Sequence, residues 1–252
     1  MDQVAARGYD PAQVVAAAVQ AGVTRLVTSA DDLGSSRAGR ELAEAHPEVY
    51  FTVGWHPVNP RPPGVEELAE MRRLLAHPKA VALGEVGLDY YFRPGYLETP
   101  KAVQQQSLTL MLNLARETGK PVVLHQRQAQ EDLIRLLDQE PPLTGILHCF
   151  SGGPGFALAA AERGLYCSFA GNVTFKSARE LQQAARVVPS ELLLVETDAP
   201  FLAPEPHRGR TALPQMVVAT ASWLALLRGD CLRSVAEATT ANACRALGLA
   251  AL

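Results

Sequence analysis

The stretch Leu192-Leu193-Leu194-Val195-Glu196-Thr197-Asp198 joins an uninterrupted apolar run directly to two carboxylates. A continuous apolar run is typical of a parallel strand, because such a strand is buried on both faces of its sheet. Ionised carboxylates at the end of a buried strand need a cation or hydrogen-bond donors as partners. The stretch therefore predicts a parallel strand, Leu192–Thr197, that carries polar chemistry at its carboxyl end.

Further apolar runs of the same kind alternate along the chain with longer segments of helical periodicity. This alternation is typical of repeated βα units and predicts an α/β fold with a parallel sheet. One helical segment is Pro100–Thr118, where Pro suits the first turn and the following Gly119 suits the C-cap. The other predicted strands are Val23–Ala30, Tyr50–His56, Ala80–Leu88, Pro121–His125, Gly145–Phe150 and Leu165–Gly171.

The length and composition of the chain fit one barrel domain. Its 252 residues, 48% of them apolar, match the length of about 250 residues that is typical of a TIM-type (β/α)8 barrel. We therefore predict a single metal-dependent hydrolase barrel domain over residues 1–252. The formal net charge of -3 excludes a protein that coats nucleic acid through a broadly basic surface, so any phosphate contact must be local.

Targeting and cysteine patterns indicate the compartment. The 4 cysteines form no CxxC pair, and the N-terminus lacks the pattern of a secretory signal. No apolar stretch reaches the roughly 18 residues of a membrane span. These features predict a cytoplasmic protein without membrane contact, and nothing in the sequence indicates an obligatory protein partner.

Polar residues follow the apolar runs of several predicted strands. Glu85, His125, His148 and Asp198 each stand at or just beyond the end of such a run. The carboxyl ends of barrel strands meet at one mouth, so we expect these side chains to converge there. Imidazole and carboxylate groups are the ligands of hydrolytic metal sites, and they suit Mg²⁺ or Mn²⁺ through oxygen and Zn²⁺ through nitrogen. The pattern predicts a divalent-metal site.

Each of these residues also has a structural interpretation. Taken alone, His148 is typical of a hydrogen-bonded core histidine, and a salt bridge would satisfy either carboxylate equally well. The repetition at four strand ends favours the metal site. Asp89 has two interpretations: it could support a metal ligand through a hydrogen bond, or it could be an ordinary loop residue. The aromatic run Tyr90–Phe92, followed by Arg93, could stack a base and hold a phosphate, although such clusters are by default core packing.

Several motifs together resemble one family. They are Gly84–Tyr91 (GEVGLDYY), Pro121–His125 (PVVLH), His148–Gly152 (HCFSG), Glu196–Pro200 (ETDAP), Pro206–Gly209 (PHRG) and Gly54–Pro57 (GWHP). They resemble the TatD-type metal-dependent deoxyribonucleases of the metallo-dependent hydrolase superfamily. The resemblance covers nearly the whole chain.

The resemblance implies a TIM barrel that hydrolyses phosphodiester bonds of DNA with Mg²⁺ or another divalent ion, as a 3′→5′ exodeoxyribonuclease in DNA repair or degradation. By matching position, Glu85 bridges two metals, and His125 and His148 hold one of them. Asp198 binds the other metal and serves as the base. Residues near the scissile phosphate are then His56, Arg93, His207 and Arg208.

Two other functions are compatible with the same residues. A hydrolase of this architecture could act on another bond, such as a D-aminoacyl-tRNA ester or a small amide. A catalytically weakened barrel could instead have a binding role. Product analysis separates the first alternative from a nuclease, and the metal content of the purified protein separates the second.

The N-terminal segment departs from the family pattern. Many family members open with a strand carrying HxHxD, whereas this chain begins Met1-Asp2-Gln3-Val4 and opens into a first predicted helix at Asp10–Gly22. Seven strand-like runs are present where a closed barrel has eight. We therefore expect that the first strand is missing from this chain, and that a full two-metal site requires the N-terminal HxH to be restored.

Overall fold

The computed structural model describes residues 1–251. The strands are β1 (Leu26–Thr28), β2 (Val49–Val53), β3 (Ala80–Asp89), β4 (Val122–Arg127), β5 (Gly145–Leu147), β6 (Tyr166–Phe169) and β7 (Leu193–Val195). The α-helices are α1 (Asp2–Ala5), α2 (Pro11–Gln20), α3 (Leu33–Ala45), α4 (Val65–Leu75), α5 (Lys101–Thr118), α6 (Gln130–Asp138), α7 (Pro154–Ala161), α8 (Arg179–Val187), α9 (Val217–Arg228) and α10 (Leu232–Ala246). None of the helices in residues 1–251 combines the length and the apolar composition that a membrane span requires.

The strands follow one another in the sheet in sequence order, from β1 to β7. The pairs β2–β3, β3–β4 and β6–β7 are parallel. Sequential strands joined by helices are the arrangement of a TIM-type (β/α) barrel, and residues 1–251 contain seven of its eight strands. The predicted α/β fold class is confirmed. The chain forms two compact units, one spanning Val27–Ile146 and one formed by residues 1–26 and 147–251, and the single domain stays a prediction.

Element boundaries differ from the predicted ones in a few places. Every predicted strand overlaps an observed strand, but β2 ends at Val53, so His56 lies in the following loop. A short helix, α1, precedes the helix that was predicted to be the first. Pro100 is the N-cap of α5 and not part of its first turn. Gly119 is the C-cap of α5, as predicted, with a left-handed φ of 66°.

In the unit Val27–Ile146, the core forms between the central strands and the helices that follow them. α5 places apolar residues at Leu108, Met111, Leu112 and Ala115, which is the spacing of one helical face. All four side chains are buried, as is nearly the whole of β3. Full burial of a large apolar side chain contributes roughly 1.5–3 kcal/mol. This face therefore fixes α5 against the sheet.

β3 has an irregularity where it pairs with β4. Between its pairings at Leu83 and Val86, β3 has two residues, Gly84 and Glu85, where β4 has only Val123. Two residues opposite one make a β-bulge, which bends the strand and re-aims a side chain. The bulge therefore determines the direction of the Glu85 carboxylate.

Two glycines beside Glu85 allow β3 to approach β4 closely. A Cβ atom at Gly84 would lie 2.5 Å from the Cβ of Val123. At Gly87, where φ is 148°, a Cβ atom would lie 2.0 Å from the carbonyl oxygen of His125. Only glycine fits these positions, because any side chain would push the two strands apart.

In the unit formed by residues 1–26 and 147–251, α10 is fixed to the start of β7 by one buried side chain. The Nδ2 group of Asn242 donates hydrogen bonds to the carbonyl oxygens of Ser190 at 2.7 Å and Leu193 at 2.8 Å. Arg245 donates to Oδ1 of Asn242 at 2.6 Å. Asn242 is only 2% exposed, so these bonds replace water at the strand end.

We predict that Asn242→Ala destabilises the fold, because it removes the donor to two carbonyl groups. A buried polar group left without a partner costs about 1–3 kcal/mol, so we expect a loss of roughly 2–4 kcal/mol in the free energy of unfolding. The melting temperature should fall by roughly 5–15 °C in calorimetry. Asn113→Ala, on the exposed face of α5, is the matched control. An equal fall in both variants would contradict this role for Asn242.

Candidate metal centres

In the unit Val27–Ile146, the imidazole of His125 lies between two carboxylates. Its Nδ1 atom is 3.3 Å from Oε2 of Glu85, and its Nε2 atom is 3.3 Å from Oδ2 of Asp89. Glu85 comes from the bulge in β3, Asp89 from the end of β3, and His125 from β4. The side chain of Asp89 is fully buried, and those of Glu85 and His125 are 13% and 16% exposed.

The two carboxylates that flank His125 indicate a place for positive charge. A neutral imidazole carries one ring proton, and donation from Nε2 to Asp89 leaves a lone pair on Nδ1 facing the Glu85 carboxylate. Two acceptors separated by 3.3 Å need a positive charge between them, either a second ring proton or a cation that both groups bind. Imidazole and carboxylate donors fit a divalent cation, and a carboxylate on the far nitrogen is the usual support for a ligating histidine.

Asp89 is held in place by hydrogen bonds from several directions. Its Oδ1 accepts from the backbone N–H of Tyr91 at 2.8 Å. The side chain of Gln104 on α5 accepts from the backbone N–H of Asp89 and donates to its carbonyl oxygen, both at 2.8 Å. Burial by itself raises the pKa of Asp89, but the hydrogen bonds from His125 and Tyr91, with the charge of Arg127, hold it below the ordinary value. Asp89 is therefore an ionised acceptor that orients His125.

His56 faces the Glu85 carboxylate with a different nitrogen chemistry. Its Nε2 atom is 3.9 Å from Oε2 of Glu85, and its Nδ1 atom accepts from the backbone N–H of Val58 at 3.1 Å. Because Nδ1 already accepts, the neutral ring carries its proton on Nε2. His56 is close enough to the Glu85 and His125 donor atoms for a ligand, but it presents an N–H group. The geometry makes it a hydrogen-bond donor at this cluster.

A second cluster lies in the unit formed by residues 1–26 and 147–251. His148 follows β5, and its Nδ1 atom is 3.0 Å from Oε1 of Glu196, which follows β7. The same oxygen accepts from the backbone N–H of Cys149 at 3.0 Å. Cys149 has a left-handed φ of 44°, which belongs to a local conformation that brings both donors to one carboxylate. The proton of neutral His148 is then on Nδ1, and Nε2 has a lone pair suited to a metal.

Asp198 completes this second cluster. One ligand atom from each of His148, Glu196 and Asp198 lies within 4.8 Å of the others. Asp198 has a left-handed φ of 54°, a conformation that aspartate tolerates better than most residues, and its carbonyl oxygen accepts from the N–H of Phe201 at 2.8 Å. Two carboxylates and one imidazole nitrogen fit a divalent cation.

The predicted metal-site residues fall into these clusters, Glu85 with His125 and His148 with Asp198. The sharing of one metal by His125 and His148, and the bridging role of Glu85, stay predictions. Glu196 was not among the predicted ligands, although it stands two residues before Asp198 in the same stretch. It left Asp89 open, and the structure shows that this residue supports His125.

The predicted phosphate-binding residues lie on loops. Arg93 is exposed, and its guanidinium carbon is 5.6 Å from the centre of the Tyr96 ring. Arg208 is also exposed, and its guanidinium lies 3.6 Å from the centre of the Phe175 ring, which restricts its orientation. His207, next to it, is half-buried.

Two proteins of similar sequence match nearly the whole of this chain. A protein of Mycobacterium tuberculosis named "Uncharacterized metal-dependent hydrolase TatD" is 42% identical over 253 residues, covering 99% of this chain and 96% of that protein. A protein of Citrobacter rodentium named "3'-5' ssDNA/RNA exonuclease TatD" is 34% identical over 251 residues, covering 95% of this chain and 92% of that protein.

A solved structure and a family description agree with these relatives. The crystal structure of YjjV, a TatD homologue from Escherichia coli K12, matches with a TM-score of 0.85 and 26% identity, covering 92% of this chain and 90% of that chain. Residues 3–248 match the family described as "TatD related DNase". The chain therefore belongs to the TatD family of metal-dependent hydrolases.

Proposed function

We propose that this protein hydrolyses phosphodiester bonds of DNA with divalent cations, as a 3′→5′ exodeoxyribonuclease that acts in DNA repair or degradation. The observation that carries the proposal is the position of His125 between Glu85 and Asp89, which provides an oriented nitrogen and a carboxylate for one cation. Membership of a DNase family supports it, as does the name of the Citrobacter relative.

Each cluster supplies ligands of suitable chemistry. Glu85 and His125 would hold one cation, and His148 and Asp198 would hold another. A bound divalent cation neutralises charge on the phosphate and lowers the pKa of a water molecule. Asp198 accepts the proton of the attacking water, because its carboxylate oxygen lies close to the ligand atoms of His148 and Glu196.

The remaining proposed site residues bind the substrate. The Nε2–H group of His56 donates a hydrogen bond to a phosphate oxygen, since its Nδ1 atom is already occupied by Val58. The guanidinium groups of Arg93 and Arg208 bind backbone phosphates through charge-assisted hydrogen bonds, and His207, the neighbour of Arg208 in the sequence, contacts the same strand. In a chain of net charge -3, such local cations are what attract a polyanion.

The donor atoms favour Mg²⁺ as the cation. The carboxylates of Glu85, Asp198 and Glu196 are hard oxygen donors that suit Mg²⁺ or Mn²⁺, while the two histidines also suit Zn²⁺. Activity measured after chelation and re-addition of each metal identifies the one that supports hydrolysis.

The proposal is tested by giving the metal-loaded protein DNA, D-aminoacyl-tRNA and small amides in parallel and analysing the products. Metal-dependent release of nucleotides from DNA 3′ ends supports it. Hydrolysis of the ester or of the amide without hydrolysis of DNA would show that the protein acts on that other bond. Absence of bound metal together with absence of any turnover indicates a binding role instead.

We predict that Glu85→Gln lowers DNA hydrolysis by about 100-fold or more, because a neutral amide cannot hold a cation as a carboxylate does. The near-isosteric change should leave the melting temperature unchanged. Glu41→Gln, on the exposed face of α3, should retain full activity. Activity of Glu85→Gln within about threefold of wild type would exclude a metal-binding role for this residue.

We predict that Arg93→Ala and Arg208→Ala each raise KM for DNA and weaken its dependence on salt, since each variant removes a phosphate contact. Steady-state rates over a range of salt concentrations measure both effects. Arg233→Ala, an exposed arginine on α10, is the control and should change neither. A salt dependence equal to wild type in both site variants would identify ordinary surface arginines.

A further inference from the structure

An exposed group of aromatic and cationic side chains stands beside the His125 cluster. We call it the aromatic–arginine cluster. It consists of side chains in the loop that follows β3, together with one residue at the end of β4: Tyr91, Phe92, Arg93, Tyr96 and Arg127. Phe92 and Tyr96 are 46% and 43% exposed, so they are not the core packing that an aromatic run suggests. Large aromatic faces left in contact with water on an ordered surface point to a ligand.

Arg127 is held rigidly within this cluster. Its guanidinium carbon lies 3.9 Å from the centre of the Tyr91 ring. Arg127 stands two residues after His125 in β4, so the two side chains leave the strand on the same side. A planar guanidinium stacked on the Tyr91 ring is already oriented for an anion, which reduces the entropy lost on binding.

The loop that carries the aromatic residues is an ordered structure. Leu97 is 2% exposed and pairs with Arg93 in an antiparallel bridge. The ring of Phe92 is stacked on Tyr90, with 6.2 Å between centroids and 9° between planes. The hydroxyl of Tyr90 donates to Asp132 on α6 at 2.8 Å. Phe92 is therefore presented to solvent on a fixed support.

The charge of this surface favours an anionic ligand. Three positive charges lie on this surface, in a chain whose net charge is -3: those of Arg93, Arg127 and Lys101. The Nζ atom of Lys101 lies 4.1 Å from the centre of the Tyr90 ring. The nearby exposed carboxylate, Glu98, accepts a hydrogen bond from the backbone of Gly95 within the loop. A polyanion that also carries flat apolar groups satisfies both parts of this surface.

We propose that the aromatic–arginine cluster binds single-stranded DNA, with unpaired bases stacked on Phe92 and Tyr96 and a phosphate held by Arg127. Bases within a duplex are already stacked on one another, so only an unpaired strand can offer its faces to these rings. This inference rests on the proposed function, because it takes the bound strand to be the one that is hydrolysed. It adds Arg127, Phe92 and Tyr96 to the residues that bind substrate.

The test measures binding separately from hydrolysis. The full-length protein in Mg²⁺ buffer is titrated against a fluorescein-labelled phosphorothioate strand of about 12 nucleotides, which resists cleavage and fits single-strand site sizes. The same titration uses the duplex of that sequence and an abasic strand of equal length. Fluorescence anisotropy reports the Kd.

We expect wild type to bind the single strand more tightly than the duplex or the abasic strand. Phe92→Ala and Tyr96→Ala should each raise the Kd for the single strand about fivefold or more, and should leave the Kd for the abasic strand nearly unchanged. Arg127→Gln should raise the Kd for both strands and reduce the salt slope by about 1. Tyr96→Phe keeps the ring and should retain most of the affinity that Tyr96→Ala loses.

Tyr9→Ala, another exposed aromatic residue, is the matched control and should bind like wild type. Kd values within about twofold of wild type for Phe92→Ala, Tyr96→Ala and Arg127→Gln would overturn the inference. Losses of affinity by Phe92→Ala and Tyr96→Ala that are as large on the abasic strand as on the normal strand would overturn it too. Hydrolysis of an unmodified strand is followed in parallel. Binding that depends on these residues without hydrolysis of any DNA would refute the proposed function while supporting this site.

Discussion

A histidine has only two ring nitrogens, and in His125 each of them faces a carboxylate at 3.3 Å. This arrangement is favourable only if a second ring proton or a bound cation supplies positive charge. That requirement restricts which groups can surround the ring. The bulge in β3 directs Glu85 to one nitrogen, and Gln104 on α5 fixes the backbone of Asp89 for the other. The helix that packs the core thus also sets the geometry of the site.

His56, His125 and His148 differ in what their ring nitrogens face. His148 turns Nδ1 toward Glu196, which leaves Nε2 suited to a cation. His125 turns Nε2 toward Asp89, so its Nδ1 atom, which faces Glu85, is the nitrogen suited to a cation. His56 accepts from a backbone amide instead and so presents a proton. The Nε2 atom of His56 is close enough to Glu85, at 3.9 Å, for both groups to bind one cation. The hydrogen bond that Nδ1 accepts from Val58 instead places the ring proton on Nε2, which makes that atom a donor.

Much of this site follows from the sequence, because a polar residue after an apolar run marks the carboxyl-terminal part of a parallel strand. His148 and Asp198 follow β5 and β7, as expected, whereas Glu85 and His125 lie within β3 and β4, which extend beyond them. The sequence thus located Glu85, His125, His148 and Asp198. It did not identify Glu196 as a candidate ligand, since the contact of this carboxylate with His148 depends on the left-handed backbone of Cys149, whose N–H donates to the same oxygen. Arg127 was missed because β4 extends two residues beyond the predicted end.

The supports of His125 were harder to predict for a similar reason. A run of apolar letters does not reveal a bulge, and the bulge sets the direction of Glu85. Asp89 reads as the start of a loop, and only the hydrogen bonds of Gln104, fifteen positions along the chain, show that it is a fixed part of the strand. Local patterns identify reactive groups, whereas the contacts that orient them are made by residues distant in sequence.

The close approach of β3 to β4 at Gly84 and Gly87 also bears on how this protein can evolve. A methyl group at either position has no space, so the smallest possible side chain would displace the strand that carries His125. These two positions therefore tolerate no other residue, although they contribute no reactive atom to the candidate metal centre. Substitutions in such a protein are therefore accepted more readily in the loops, where they can change substrate preference without altering the geometry of the candidate metal centre.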